Sequence, residues 1–150
     1  MSEPMEILDG SECWRLLRLC VVGRLGVLVG GVPEIFPVNY LVDHGSVLFR
    51  TAEGTKLAAA IGGPVAFEAD GCEEGTSQAW SVVLKGHARE VTGVEELLST
   101  LGAPLFPWHD SPKPRFVRIE PDAISGRRFH VTDPSVWTSP PTGVRLASSE

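Results

Sequence analysis

Phe36-Pro37-Val38-Asn39-Tyr40-Leu41-Val42-Asp43-His44-Gly45-Ser46-Val47-Leu48-Phe49-Arg50-Thr51 reads as two strands and the turn between them. Asp43-His44-Gly45-Ser46 has the composition of a tight hairpin turn, with Gly45 able to take positive φ. A turn centred on His44-Gly45 pairs Val42 with Val47, Leu41 with Leu48 and Asn39 with Arg50. Asn39 and Arg50 then project from one face of the sheet, and Val38 and Thr51 from the other. Parallel neighbours would need a long crossover in place of this turn, so the sheet is antiparallel.

The flanking sequence extends the pattern. Leu25–Val29 reads as a strand closed by Gly30-Gly31, and Ile35–Val42 and Ser46–Thr51 form the hairpin. A short helix, Lys56–Ile61, is ended by Gly62-Gly63 and Pro64. Strands follow at Val65–Ala69 and from Ala79 to about Val91, then a short helix at 94–101 and a Pro-rich loop at 104–114. Arg115–Ile119 and Ile124–Val131 read as two closing strands. Ahead of all these, Leu8, Cys13, Leu16, Leu17 and Cys20 recur at helical spacing, predicting a helix over Asp9–Cys20 capped by Asp9 or Ser11. The expected fold is mainly β with short helices: an antiparallel, Greek-key-like barrel, whose closure removes exposed sheet edges. Residues 1–131 form the domain. Residues 132–150, rich in Pro, Ser, Thr and Gly, read as a tail that is flexible or covers an interface, with Val136-Trp137 as its apolar anchor.

Composition narrows the function. The chain has 150 residues, with 13 Lys and Arg against 19 Asp and Glu, a net charge of −6 and pI ≈ 5.2. Non-specific nucleic-acid binding depends on dense Lys and Arg, so this balance opposes it. At 43% hydrophobic the chain is too apolar to be disordered along its length. Cys13, Cys20 and Cys72 are odd in number and lack CxxC spacing, which indicates neither a disulfide framework nor a zinc site. Buried free thiols are the expectation for Cys13 and Cys20. With no basic-then-apolar leader and no apolar run long enough for a membrane span, the expectation is a cytoplasmic protein.

Several catalytic motifs are missing. No two glycines are separated by a single residue, which removes GxGxxG, and neither GxxxxGK[ST] nor GxSxG occurs. His44, His87, His109 and His130 are scattered, and no metal site is expected. The positive signal is local. Between Arg24 and Lys85 the basic residues are Arg50 and Lys56, and they bracket Thr51 and Thr55. A strand Arg, two hydroxyls and a Lys at a helix start suit a phosphate monoester. The competing reading pairs Arg50 with Glu53 or Glu68 and leaves Lys56 solvated. Trp80, a Trp in a strand, reads as core or interface packing rather than as a cofactor contact. Glu68 and Asp70 read as paired carboxylates or as solvated strand-end charges.

Phe36-Pro37-Val38-Asn39-Tyr40, Phe49 through Leu57 and Trp80-Ser81-Val82 together resemble the pyridoxamine 5′-phosphate oxidase-like flavin-binding family, in its short actinobacterial branch. The similarity spans about Cys13 to Phe129. It implies a split β-barrel homodimer holding FMN, or a deazaflavin such as coenzyme F420, at the subunit interface. It assigns Arg50, Thr51 and Lys56 to the cofactor phosphate, with Thr55 beside them, and Pro37, Val38 and Asn39 to further cofactor contacts. Trp80 and Ser81 would sit near the ring system, from the partner chain. The expected activity is a flavin-dependent oxidoreductase acting on a small organic molecule; the alternatives are an F420-dependent reductase and a non-catalytic flavin- or haem-binding protein. Vitamin B6 oxidation is not carried over, because Gly126-Arg127-Arg128-Phe129 echoes only loosely the segment that accompanies it.

Overall fold

The computed structural model describes residues 5–52, 56–73, 75–93 and 114–131. In chain order the elements are β1 (Glu6–Leu8), α1 (Gly10–Leu17), β2 (Val22–Val29), β3 (Val32–Asp43), β4 (Ser46–Ala52), α2 (Lys56–Ala59), β5 (Pro64–Cys72), β6 (Gln78–Glu90) and β7 (Pro114–His130). The sheet order is β1-β7-β4-β3-β2-β5-β6, and β6 also pairs with β7. That last ladder closes β2 to β7 into an antiparallel barrel, with β1 added on the outer edge of β7. β2, β3 and β4 form a meander, and β5 returns beside β2, which is the Greek-key step.

The central hairpin turns where its composition requires. His44 and Gly45 both have positive φ, 49° and 68°, the backbone of a type I′ turn. Val42 pairs with Val47, Leu41 with Leu48 and Tyr40 with Phe49. The ladder stops there, one pair short of the expected Asn39–Arg50 pair.

Alternation then sorts side chains inside and out. Tyr40, Phe49, Phe67, Val82, Leu84, Val117 and Ile119 fill the barrel, and Cys13, Leu16 and Leu17 of α1 join the same core. Tyr40 and Phe67 meet edge to face, with ring centroids 4.8 Å apart. The Tyr40 hydroxyl donates to the Leu17 carbonyl and ties the end of α1 to β3.

Several expected boundaries change. α1 ends at Leu17, because the backbone turns through Arg18–Leu19, so Cys20 lies outside the helix. Its start is as expected: the Asp9 carboxylate accepts from the Glu12 N–H at 2.8 Å. α2 ends at Ala59, where i→i+3 bonds from the Ala60 and Ile61 N–H groups tighten the chain. The two closing strands are one strand, β7. Lys85 faces Ala123 while Gly86 faces Pro121, so the register slips by one residue at Asp122. A bulge of this kind bends a strand without ending it, and Pro121 is tolerated there. The expected helix at 94–101, the Pro-rich loop at 104–113 and the tail at 132–150 lie outside the described residues. Among the described residues no helix is long and apolar enough to cross a membrane.

Candidate flavin site

Arg50 stands on the outer face of the barrel. Its neighbour Phe49 points into the core, and across the ladder Arg50 faces Phe116 of β7. The surroundings on that face are apolar: Leu48, Phe116 and Val91 form a second buried cluster, with Leu41 packed against it. In this setting the Arg50 Nε is buried with no hydrogen-bond partner among the described residues. A buried charged donor left unsatisfied costs several kcal/mol as an order of magnitude, so it marks a place where an acceptor belongs.

The competing partner for Arg50 is engaged elsewhere. Glu68 accepts from the Arg24 Nε at 2.7 Å and sits 2.6 Å from its Nη2. Arg24 also reaches Asp70 at 3.1 Å. Burial, then the hydrogen bond with Asp70, pushes the Glu68 carboxyl above its ordinary range. Glu53, the other suggested partner, lies outside the described residues, as does Thr55.

The remaining expected residues divide by face. Asn39 pairs with Val22 and Pro37 with Arg24, while Val38 is 4% exposed and belongs to the core. Val38 can therefore offer a ligand on the outer face only its backbone. Thr51 faces Arg115 across the β4–β7 ladder and, by strand alternation, projects opposite to Arg50. Lys56 is the first residue of α2.

Trp80 and Ser81 lie at the other end of β7. Trp80 faces Arg128 and Ser81 faces Arg127, whereas Arg50 faces Phe116. Phe116 and Arg127 are eleven positions apart, about 36 Å along the strand path at ~3.3 Å per residue. One chain therefore does not bring the two groups together. Ser81 and Trp80 border a cavity of about 530 Å³, with Asp70, Gln78, Phe129 and Val131 among its walls. That volume falls within the ~300–1,000 Å³ typical of small-molecule sites. Trp80 is 4% exposed and part of the core, and a Cβ built on Gly71 would lie 3.1 Å from its indole, so it also serves as packing.

The profile of the family described as pyridoxamine 5′-phosphate oxidase matches residues 9–128. The chain belongs to this family. A solved Mycobacterium smegmatis structure, described as an FAD binding protein, is 43% identical; the match covers 83% of this chain and 98% of that one, with a TM-score of 0.74. A conserved protein of unknown function from Corynebacterium diphtheriae is 38% identical, with 86% and 100% covered and a TM-score of 0.72. An uncharacterized Mycobacterium tuberculosis protein is 35% identical over 128 residues, 81% of this chain and 84% of its own length. The pyridoxamine 5′-phosphate oxidase family accounts for the split barrel read from the three motif blocks.

Sequence reasoning did not find the Arg24–Glu68–Asp70 group beside Pro37, nor the Arg128 hub, which binds Glu6, Glu12 and Glu73 at 3.1, 2.7 and 3.2 Å. Both depend on cross-strand register between distant segments. Among the described residues no group of three or more His, Cys, Asp or Glu could hold a metal ion.

Proposed function

We propose that the chain is a flavin-binding oxidoreductase that works as a homodimer on a small organic substrate, with FMN as its cofactor. The observation that carries this reading is the buried Arg50 Nε, without a hydrogen-bond partner among the described residues, on an apolar face. Its guanidinium would take a phosphate oxygen, with Asn39 and Pro37 on the adjoining strand, Lys56 at the start of α2, and Thr51, whose side chain projects to the other face, offering its backbone. The Trp80–Ser81 segment of a second copy would border the ring, because the same segment of this chain lies too far along β7. An apolar outer surface suits that pairing: Leu28, Val32 and Ile35 are 54%, 58% and 73% exposed.

The Arg24 pair with Glu68 flanks Pro37 and fixes charge beside the site without adding a free cation. Apolar walls at Leu48 and Phe116 exclude water from the guanidinium and strengthen its hold on an anion. A bound flavin supplies two-electron hydride chemistry, while the protein supplies orientation and electrostatics. No acid–base pair is required for that role. Free Cys13, Cys20 and Cys72 fit a reducing cytoplasmic setting.

The relative described as FAD binding favours a flavin in general, and FAD shares both the phosphate and the ring. The test is fluorescence titration with riboflavin, FMN, FAD and F420, alongside sedimentation equilibrium. FMN should bind at least tenfold more tightly than riboflavin, and that difference should collapse in Arg50→Met. Equal binding of riboflavin and FMN, or no flavin binding at all, would refute the phosphate site. A preference for F420 or FAD would replace FMN as the cofactor.

A further inference from the structure

Cys20 and Cys72 line one cavity of about 470 Å³, shared with Arg15, Leu19, Glu73 and Trp80. Their placement follows from the β2–β5 ladder, which pairs Arg24 with Glu68, Leu25 with Phe67 and Gly26 with Ala66. Carried on in the same register, Val22 falls opposite Asp70 and Cys20 opposite Cys72. The Cys20 thiol donates to the Asp70 carbonyl at 3.8 Å, so the chain keeps close to β5 beyond the last ladder pair. Directly opposed residues of an antiparallel pair hold their Cβ atoms about 4.5–5.5 Å apart, and a disulfide asks for ~3.5–4.5 Å. A small approach of the loop at Cys20 closes that gap. Cys20 lies between the end of α1 and the start of β2, outside the β2–β5 ladder.

We infer that Cys20 and Cys72 are a reactive dithiol, closed to a disulfide by hydroperoxides. Cys72 is exposed and meets the oxidant first. Its thiolate attacks the terminal peroxide oxygen and breaks the O–O bond, leaving a sulfenic acid and a hydroxide, or an alkoxide from an organic hydroperoxide, that takes up a proton. The Cys20 sulfur then attacks the Cys72 sulfur, forms the S–S bond and expels the second hydroxide, again protonated to water. Two thiols lose two electrons and two protons, and one hydroperoxide is reduced; no other reactant is needed.

The division of roles follows the surroundings. Cys20 is half-buried, and burial, then the Asp70 and Glu68 carboxylates, pushes its thiol up, while Arg24 opposes this. Such a thiol suits the resolving step better than first attack. Cys13 takes no part: it is fully buried, and a Cβ on Gly126 would lie 2.7 Å from its sulfur. Cys72 also lines the larger cavity beside Ser81, so closure of the dithiol alters a wall of that cavity.

The full-length protein, reduced and then treated with hydrogen peroxide, is quenched with iodoacetamide and mapped by mass spectrometry. The expected product is a Cys20–Cys72 cross-linked peptide lighter by two hydrogens. It should form at a rate independent of protein concentration and be reversed by dithiothreitol. Cys13 should be alkylated only after denaturation. In Cys20→Ser, Cys72 should instead run on to sulfinic acid or join two chains; in Cys72→Ser, peroxide should leave Cys20 alkylatable. Wild-type protein that yields over-oxidised Cys72, or a disulfide between two Cys72 residues, with Cys20 still fully alkylatable, overturns the inference.

Discussion

Gly86 of β6 packs directly on the backbone of Glu120 in β7: a Cβ added there would lie 2.0 Å from the Glu120 carbonyl oxygen and 2.9 Å from its carbonyl carbon. The contact falls at the bulge, where Gly86 faces Pro121. Backbone atoms cannot swing aside as a side-chain end can. Gly86→Ala is therefore expected to destabilise the fold by at least ~2 kcal/mol, read as a lowered denaturation midpoint. A midpoint equal to wild type would mean that the bulge relaxes freely.

Arg50 gives a prediction with two opposed readouts. Its Nε has no partner among the described residues, so replacing it removes an unsatisfied buried donor from the cofactor-free protein. Arg50→Met should leave thermal stability without flavin unchanged or raised, while FMN affinity falls about 10- to 100-fold, as expected for one lost charged hydrogen bond. Loss of stability together with affinity would assign Arg50 a structural role instead.

Glu12 sets an acid limit on stability. Hydrogen bonds from Arg15 and then Arg128 hold its carboxyl near about 2, against an ordinary 4.5. The folded state thus binds fewer protons than the unfolded state between those values. The stability from these contacts is fully present above about pH 4.5 and is lost as pH falls toward about 2. Urea titrations across that range should show a steeper fall for wild type than for Glu12→Gln. Parallel curves would show that the Glu12 contacts with Arg15 and Arg128 contribute nothing measurable.

Tyr40→Phe isolates the bond from β3 to the end of α1. Burial pushes the Tyr40 hydroxyl above its ordinary range, so at neutral pH it stays protonated and donates to the Leu17 carbonyl. Among the described residues the other donor to that carbonyl is the Cys20 N–H, at a long 3.4 Å. Losing the hydroxyl should cost ~1–2 kcal/mol, measured by chemical denaturation. An equally stable variant would show that the longer bond suffices.

Local chemistry made the hairpin legible, since His44-Gly45 sets the turn and the turn sets the register of Leu41 and Leu48. The same logic failed at Glu120–Ala123, where Pro121 looks like a strand end but, with Asp122 left without a ladder partner, forms a bulge inside β7. β1 was missed because only Leu8 of its three residues is buried, too little for a pattern. At the site, Arg50 stood out by its isolation in an acidic stretch. What it does not pair with could not be read, because Glu68 is claimed by Arg24 through a ladder between β2 and β5. The opposition of Cys20 and Cys72 was hidden for the same reason.

For the proposed dimer, the continuity of β7 would set a stoichiometry. A single strand carries both the Phe116 position beside Arg50 and the Arg127 position beside Ser81, so under the proposed function each polypeptide would own two halves of different sites. In that proposed arrangement a symmetric pair would assemble two complete sites at once, and a lone chain none. Flavin retention would accordingly depend on chain concentration, and dilution would release cofactor and separate subunits in a single step.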